Sequence, residues 1–110
     1  MAYDEDLAER VRDLIGGRKG VIEKRMFGGL AMLVHGNMAV VIRGKGGLML
    51  RVDPDDQDVL LDEPGVDEAV MRGRPMRGWI IVSAASVGTA AKLRTWVDRA
   101  MTYAELLPPK

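Results

Sequence analysis

Two apolar runs on either side of Gly36-Asn37, Leu30 to His35 and Met38 to Ile42, constrain this chain more than any other feature. They read as neighbouring antiparallel strands. Glycine at the first central position suits a type II′ turn, whose twist matches that of the strands it joins. With a two-residue turn there, His35 faces Met38, Leu33 faces Val40 and Ala31 faces Ile42. The other side of the hairpin then pairs Val34 with Ala39, Met32 with Val41 and Leu30 with Arg43. Both sides are largely apolar, whereas a sheet wetted on one side alternates apolar with polar residues. Each face therefore needs a cover: helices on one, and another element or a second subunit on the other.

The flanking sequence supplies the helices. Asp4 can cap a first helix whose Leu7, Val11, Leu14 and Ile15 form one apolar stripe, and Gly16-Gly17 stops it. Val21 to Phe27 reads as a strand, and Gly28-Gly29 turns it into the hairpin. Leu48 to Val52 is a fourth strand after a glycine-rich loop. Asp53-Pro54 marks the start of a short helix running to about Leu61. Pro64-Gly65 turns the chain, Val66 to Met71 is a further strand, Gly73 to Arg77 is a loop, and Trp79 to Val82 is the last strand. Ser86 or Thr89 caps a long final helix with a stripe of Leu93, Trp96, Val97, Ala100, Met101, Ala104 and Leu107, ended by Pro108-Pro109. This order predicts an α+β domain in two layers: an antiparallel sheet of about five to six strands with N-terminal, short middle and long C-terminal helices.

The 110 residues suit a single domain, 1–110, with 47% apolar residues and enough core to fold without staples. There is no cysteine. That excludes disulfides, thiolate catalysis and thiolate metal sites, and fits a cytoplasmic setting. No apolar run reaches membrane-spanning length, and the acidic start Asp4-Glu5-Asp6 lacks a signal-peptide pattern. Formal net charge is zero, which argues against strong autonomous DNA binding. The charges are nonetheless segregated: eight carboxylates and no Lys or Arg between Asp53 and Glu68, then Arg72, Arg74, Arg77, Lys92 and Arg94 with no acid up to Val97.

No catalytic set emerges. His35 is the sole histidine, and the hairpin brings no carboxylate beside it, so a turn-flanking residue without a role explains it better than a base or a ligand. Asp55, Asp56 and Asp58 lack the glycine and the twelfth-position glutamate of a calcium loop; they complement a helix N-terminus instead. Gly44-Lys45-Gly46-Gly47 opens a strand rather than a helix, so it is not a phosphate loop. Ser83, Ser86 and Thr89 read as caps, not nucleophiles. Met32, Met38, Met49 and Met101 fall on expected core faces, while Met26 and Met76 are less easily assigned. The best binding candidates are Arg25, Phe27, Arg74, Met76, Arg77 and Trp79, a basic and partly aromatic group suited to an acidic peptide, a nucleotide or a phosphate backbone. The competing account is that the arginines pair with Glu23, Asp53 or other acids and only pin the loop.

Three motifs, Arg25-Met26-Phe27-Gly28-Gly29, Gly36-Asn37-Met38 and Gly73-Arg74-Pro75-Met76-Arg77-Gly78-Trp79, together with the closing Leu107-Pro108-Pro109-Lys110, resemble the N-terminal domain of the TfoX/Sxy family over essentially the whole chain. The resemblance implies an accessory factor in transcriptional regulation, including competence, rather than a sequence reader. It also implies a non-catalytic interaction module with no cofactor and a protein partner or a second copy of itself. The helical C-terminal domain of longer members is not expected here. A nucleotide- or nucleic-acid-associated protein, an enzyme or a binding protein, that grips phosphate through Arg25, Arg74 and Arg77 is the alternative. The apolar second face of the hairpin (Leu30, Met32, Val34, Ala39, Val41) leads to the expectation of a symmetric dimer.

Overall fold

A computed structural model describes residues 3–26 and 28–110. The chain runs α1 (Glu5–Ile15), β1 (Val21–Met26), β2 (Gly29–Val34), β3 (Asn37–Ile42), β4 (Leu48–Arg51), α2 (Gln57–Leu61), β5 (Val66–Met71), β6 (Arg74–Val82), a 3₁₀ turn (Ala84–Val87) and α3 (Ala90–Leu106). The strands form one antiparallel sheet of six in the order β1-β2-β3-β4-β6-β5. The architecture is the α+β domain anticipated from sequence.

The two long helices form where their caps and stripes place them. The Asp4 carboxylate accepts from the Leu7 N–H at 3.2 Å, and Leu7, Ala8, Val11 and Ile15 are buried. Thr89 rather than Ser86 caps α3, its hydroxyl accepting from the Lys92 N–H at 3.2 Å. Ser83 caps the 3₁₀ turn. Both helices lie on one face of the sheet, where Leu7, Val11, Leu93, Val97 and Met101 join Leu30, Met32, Val40, Ile42, Leu48, Leu50, Ile80 and Val82 in one cluster. Arg12 ties α1 to the edge strand, donating to the Glu23 carboxylate at 2.7 and 2.9 Å.

Three local expectations are corrected. The hairpin turn is His35-Gly36, not Gly36-Asn37: Val34 pairs with Asn37, and both central residues have positive φ, 51° and 84°, the signature of a type I′ turn. His35 tolerates this conformation because its backbone is held on both sides. Its N–H donates to Gly20 O at 3.0 Å, and its carbonyl accepts from the Lys110 N–H at 2.9 Å. Asn37, buried, donates through Nδ2 to Pro108 O at 2.9 Å. A bulge between Met32 and Leu33 then resets the register, so Leu30 pairs with Ile42, Ala31 with Val41 and Met32 with Val40. The faces therefore divide differently. Leu30, Met32, Val34, Val40 and Ile42 lie under the helices, whereas Ala31, Leu33, Met38 and Val41 lie on the far side.

The second correction concerns α2, which starts at Gln57. Asp53 instead closes a turn, its Oδ1 accepting from the Asp55 N–H at 2.9 Å. The third concerns residues 74–77, which are strand rather than loop. β4 ends opposite Trp79, so beyond that point β6 has only β5 beside it. Such an edge position tolerates a proline's missing N–H, and Pro75 sits there opposite Val70.

Candidate interaction face

The far face of the sheet is apolar and, among the described residues, carries no helix. Ala31, Val41, Met49 and Ala69 are buried there under the half-exposed side chains of Met26, Leu33, Met38, Met76, Trp79 and Ile81. Ile22, among the most exposed large apolar residues at 56%, lies toward its β1 edge, where it pairs with Leu33. A depression of about 500 Å³ on this face is lined by Val41, Met49, Ala69, Val70, Met76 and Ile81, with Arg43 and Lys45 at its rim. Met38 and Met49, expected on core faces, pack on this side, Met49 buried and Met38 half-exposed, and Met26 and Met76 join them. Met32 and Met101 are the methionines beneath the helices.

One kink builds much of this face. Strict alternation would put Met76 and Trp79, three residues apart, on opposite sides. Gly78, at φ 88°, breaks the alternation and brings both to the open side. The kink is held from behind. Gln57, fully buried, accepts the Gly78 N–H on Oε1 at 2.6 Å, while Gly78 O accepts from the Val52 N–H at 2.9 Å. Gln57 was invisible as a site residue, because nothing in the sequence links a helix-start glutamine to a glycine of a later strand. Arg51 lies over the Trp79 ring at 5.3 Å from its centroid, a cation–π contact with the residue paired across from it.

The candidate residues divide between the two faces. Met76 and Trp79 belong to the open face. Arg77 turns to the other side, donating to Pro54 O at 2.9 Å and to Asp58 at 3.4 Å, so this arginine is pinned to the α2 segment. Arg74 is exposed at the start of β6 and makes no side-chain hydrogen bond or ion pair among the described residues. Arg25 is exposed on β1, paired with Leu30 and hence on the helix side of the sheet. Four strand spacings, about 19 Å at ~4.8 Å each, separate β1 from β6, so the three arginines do not converge. Phe27 lies outside the described residues. Glu23 accepts from Arg12, not from any of these arginines. That hydrogen bond holds the Glu23 carboxyl below its usual range, against partial burial that pushes it up.

The second glycine of the first motif, Gly29, has a packing reason. A Cβ on Gly29 would sit 2.1 Å from the Ile42 carbonyl oxygen, so only glycine lets the two backbones approach at the start of β2. His35 is exposed at its turn. Among the described residues no three His, Asp or Glu side chains gather as a metal site, and no helix is long and apolar enough to cross a membrane.

Elsewhere, Arg99 stacks on Trp96 at 4.7 Å from the ring centroid. Its Nη1 is buried with no hydrogen-bond partner among the described residues.

Comparison with protein families matches residues 13–104 to the model of the TfoX N-terminal domain. Comparisons with curated proteins and with solved structures found no match.

Proposed function

Because the chain belongs to the TfoX N-terminal domain family, we propose that it works as a non-catalytic interaction module, an accessory factor in transcriptional regulation or competence that acts in the cytoplasm. The observation that carries this reading is the open face of the sheet. An apolar surface running from Ile22 to Met76, with no covering element among the described residues, is what a chain keeps for a partner. A phosphate-gripping enzyme is supported less well. It would have to draw Arg25 and Arg77 from the helix side of the sheet and Trp79 from the other, and Arg77 is already bound to Pro54 O.

The test is made in the cell that expresses the chain. Transcript profiles and DNA uptake are compared between the wild type, a strain lacking the chain, and a strain carrying Ile22→Glu with Met76→Glu. Ile22 is exposed and Met76 half-exposed, so the double variant keeps its fold, which circular dichroism verifies. The expected result is that the double variant reproduces the transcript changes of the deletion. Unchanged transcripts in the deletion strain would overturn the reading.

A further inference from the structure

We propose that the open sheet face docks an acidic amphipathic helix of a partner protein, its apolar stripe laid over Met38, Met49 and Met76 and its carboxylates set against the cations around them. This rests on the interaction-module reading and specifies its partner. The layer arrangement asks for a helix: α1 and α3 cover one side of the sheet, and a helix supplied by another chain would cover the other. Methionine floors suit this use, since an unbranched thioether side chain repacks against varied apolar partners.

Charge decides what kind of helix. Lys24 faces this side through its pairing with Ala31, and Arg51 through its pairing with Trp79. Arg43 and Lys45 border the depression, and Arg72 and Arg74 stand at the β5–β6 turn. Among the described residues none of these is in an ion pair; the arginines that are, Arg12, Arg18 and Arg77, bond acids away from this face. Asp67, opposite Ile81, is the acid that the register puts on the same side. The Asp53–Glu63 acids lie around α2, where Leu60 joins the helix-covered core. An apolar floor bordered by unpaired cations is complementary to an apolar stripe bordered by carboxylates. A second copy fits worse, because two-fold pairing through this face sets cation against cation. Nucleic acid fits worse too, because among the described residues the floor offers one ring, Trp79, and Arg51 already covers it.

The test labels the methionine methyl groups with ¹³C and titrates the protein with a synthetic helix of about five turns, leucines on one side flanked by glutamates. A peptide with lysines in place of the glutamates, a DNA duplex and an RNA duplex serve as parallel arms. The expected result is that the glutamate peptide shifts Met38, Met49 and Met76 while leaving Met32 and Met101 in place. Added salt should weaken it, and Lys24→Glu with Lys45→Glu should weaken it about tenfold or more. Both lysines are exposed, so the variant spectrum should otherwise match the wild type. Four outcomes overturn the proposal: no shift, equal binding of the lysine peptide, the same shifts from either duplex, or the same shifts on raising protein concentration alone, which would assign the face to a second copy. Failure here together with the transcript phenotype above refutes the acidic helix only. Loss of that phenotype refutes the module.

Discussion

Replacing Gln57 by alanine tests whether the kink at Gly78 is built from behind. The side chain is fully buried and supplies the acceptor for the Gly78 N–H at 2.6 Å. Removing it leaves a buried donor unpaired, at about 1–3 kcal/mol. The space vacated adds roughly 1 kcal/mol, because a short helix against a sheet collapses only in part. Part is returned, since the Gln57 amide nitrogen reaches Glu68 only at 3.5 Å and its desolvation is poorly compensated. The net expectation is a loss of about 2–3 kcal/mol. In urea denaturation that moves the midpoint down by roughly 1–2 M with the slope unchanged, and in a thermal scan by about 10–20 °C. The effect should also be local: Trp79 fluorescence and the Met76 methyl signal change in the folded state, while Met101 beneath α3 does not. A loss below about 0.5 kcal/mol with those probes unmoved would refute the idea that Gln57 holds the kink, since no buried donor would then have been orphaned.

Further expectations follow from other contacts. Gly29→Ala places a methyl against the Ile42 carbonyl and should cost about 3 kcal/mol or prevent folding; a denaturation midpoint equal to the wild type would contradict the close approach. For the Arg12–Glu23 pair the folded-state carboxyl lies below its unfolded value. Its stabilisation is therefore present above the unfolded pKa of about 4.3 and is lost as pH falls through the folded value. Because the pair is exposed, Glu23→Gln should cost less than about 1 kcal/mol at neutral pH and flatten the acid limb of a stability–pH curve; an acid limb identical to the wild type would show that the pair does not hold β1. Arg99→Met removes a buried unpaired N–H while keeping the stem over Trp96, so stability should hold within about 1 kcal/mol or rise. A loss of several kcal/mol would mean that Nη1 has a partner.

Sequence reasoning reached the helices and the strand sequence because those signals are local. Asp4 announces a cap, Ser86 or Thr89 announces another, and the stripes of α1 and α3 need only their own residues. It missed where the signal is tertiary. The hairpin turn shifted by one residue because Gly20 and Lys110 brace His35 in a left-handed conformation that glycine would otherwise be expected to take. Gly73 to Arg77 reads as a loop until β5 is known to lie alongside it. The open face was the least legible feature. Met32 and Met49 look alike in sequence, and only the bulge at Leu33 and the side on which the helices land separate the helix-covered one from its open-face counterpart. The arginine cluster dissolved for the same reason, since strand order, unreadable from local pattern, puts Arg25 and Arg74 on distant strands.

The strand order also governs how the chain can go wrong while it is being made. β1 to β4 form a meander of near neighbours that can pair as soon as it emerges, since each contact spans few residues. β6 comes last of the strands yet sits inside the sheet, between β4 and β5. Until residues 79–82 arrive, the outer edge of β4, Leu48-Met49-Leu50, is an unpaired apolar strand of the kind that recruits other chains. Ribosome stalling or chain cleavage before Trp79 should therefore yield aggregates rather than a smaller folded domain, and a chaperone that masks strand edges should raise the yield of the intact protein.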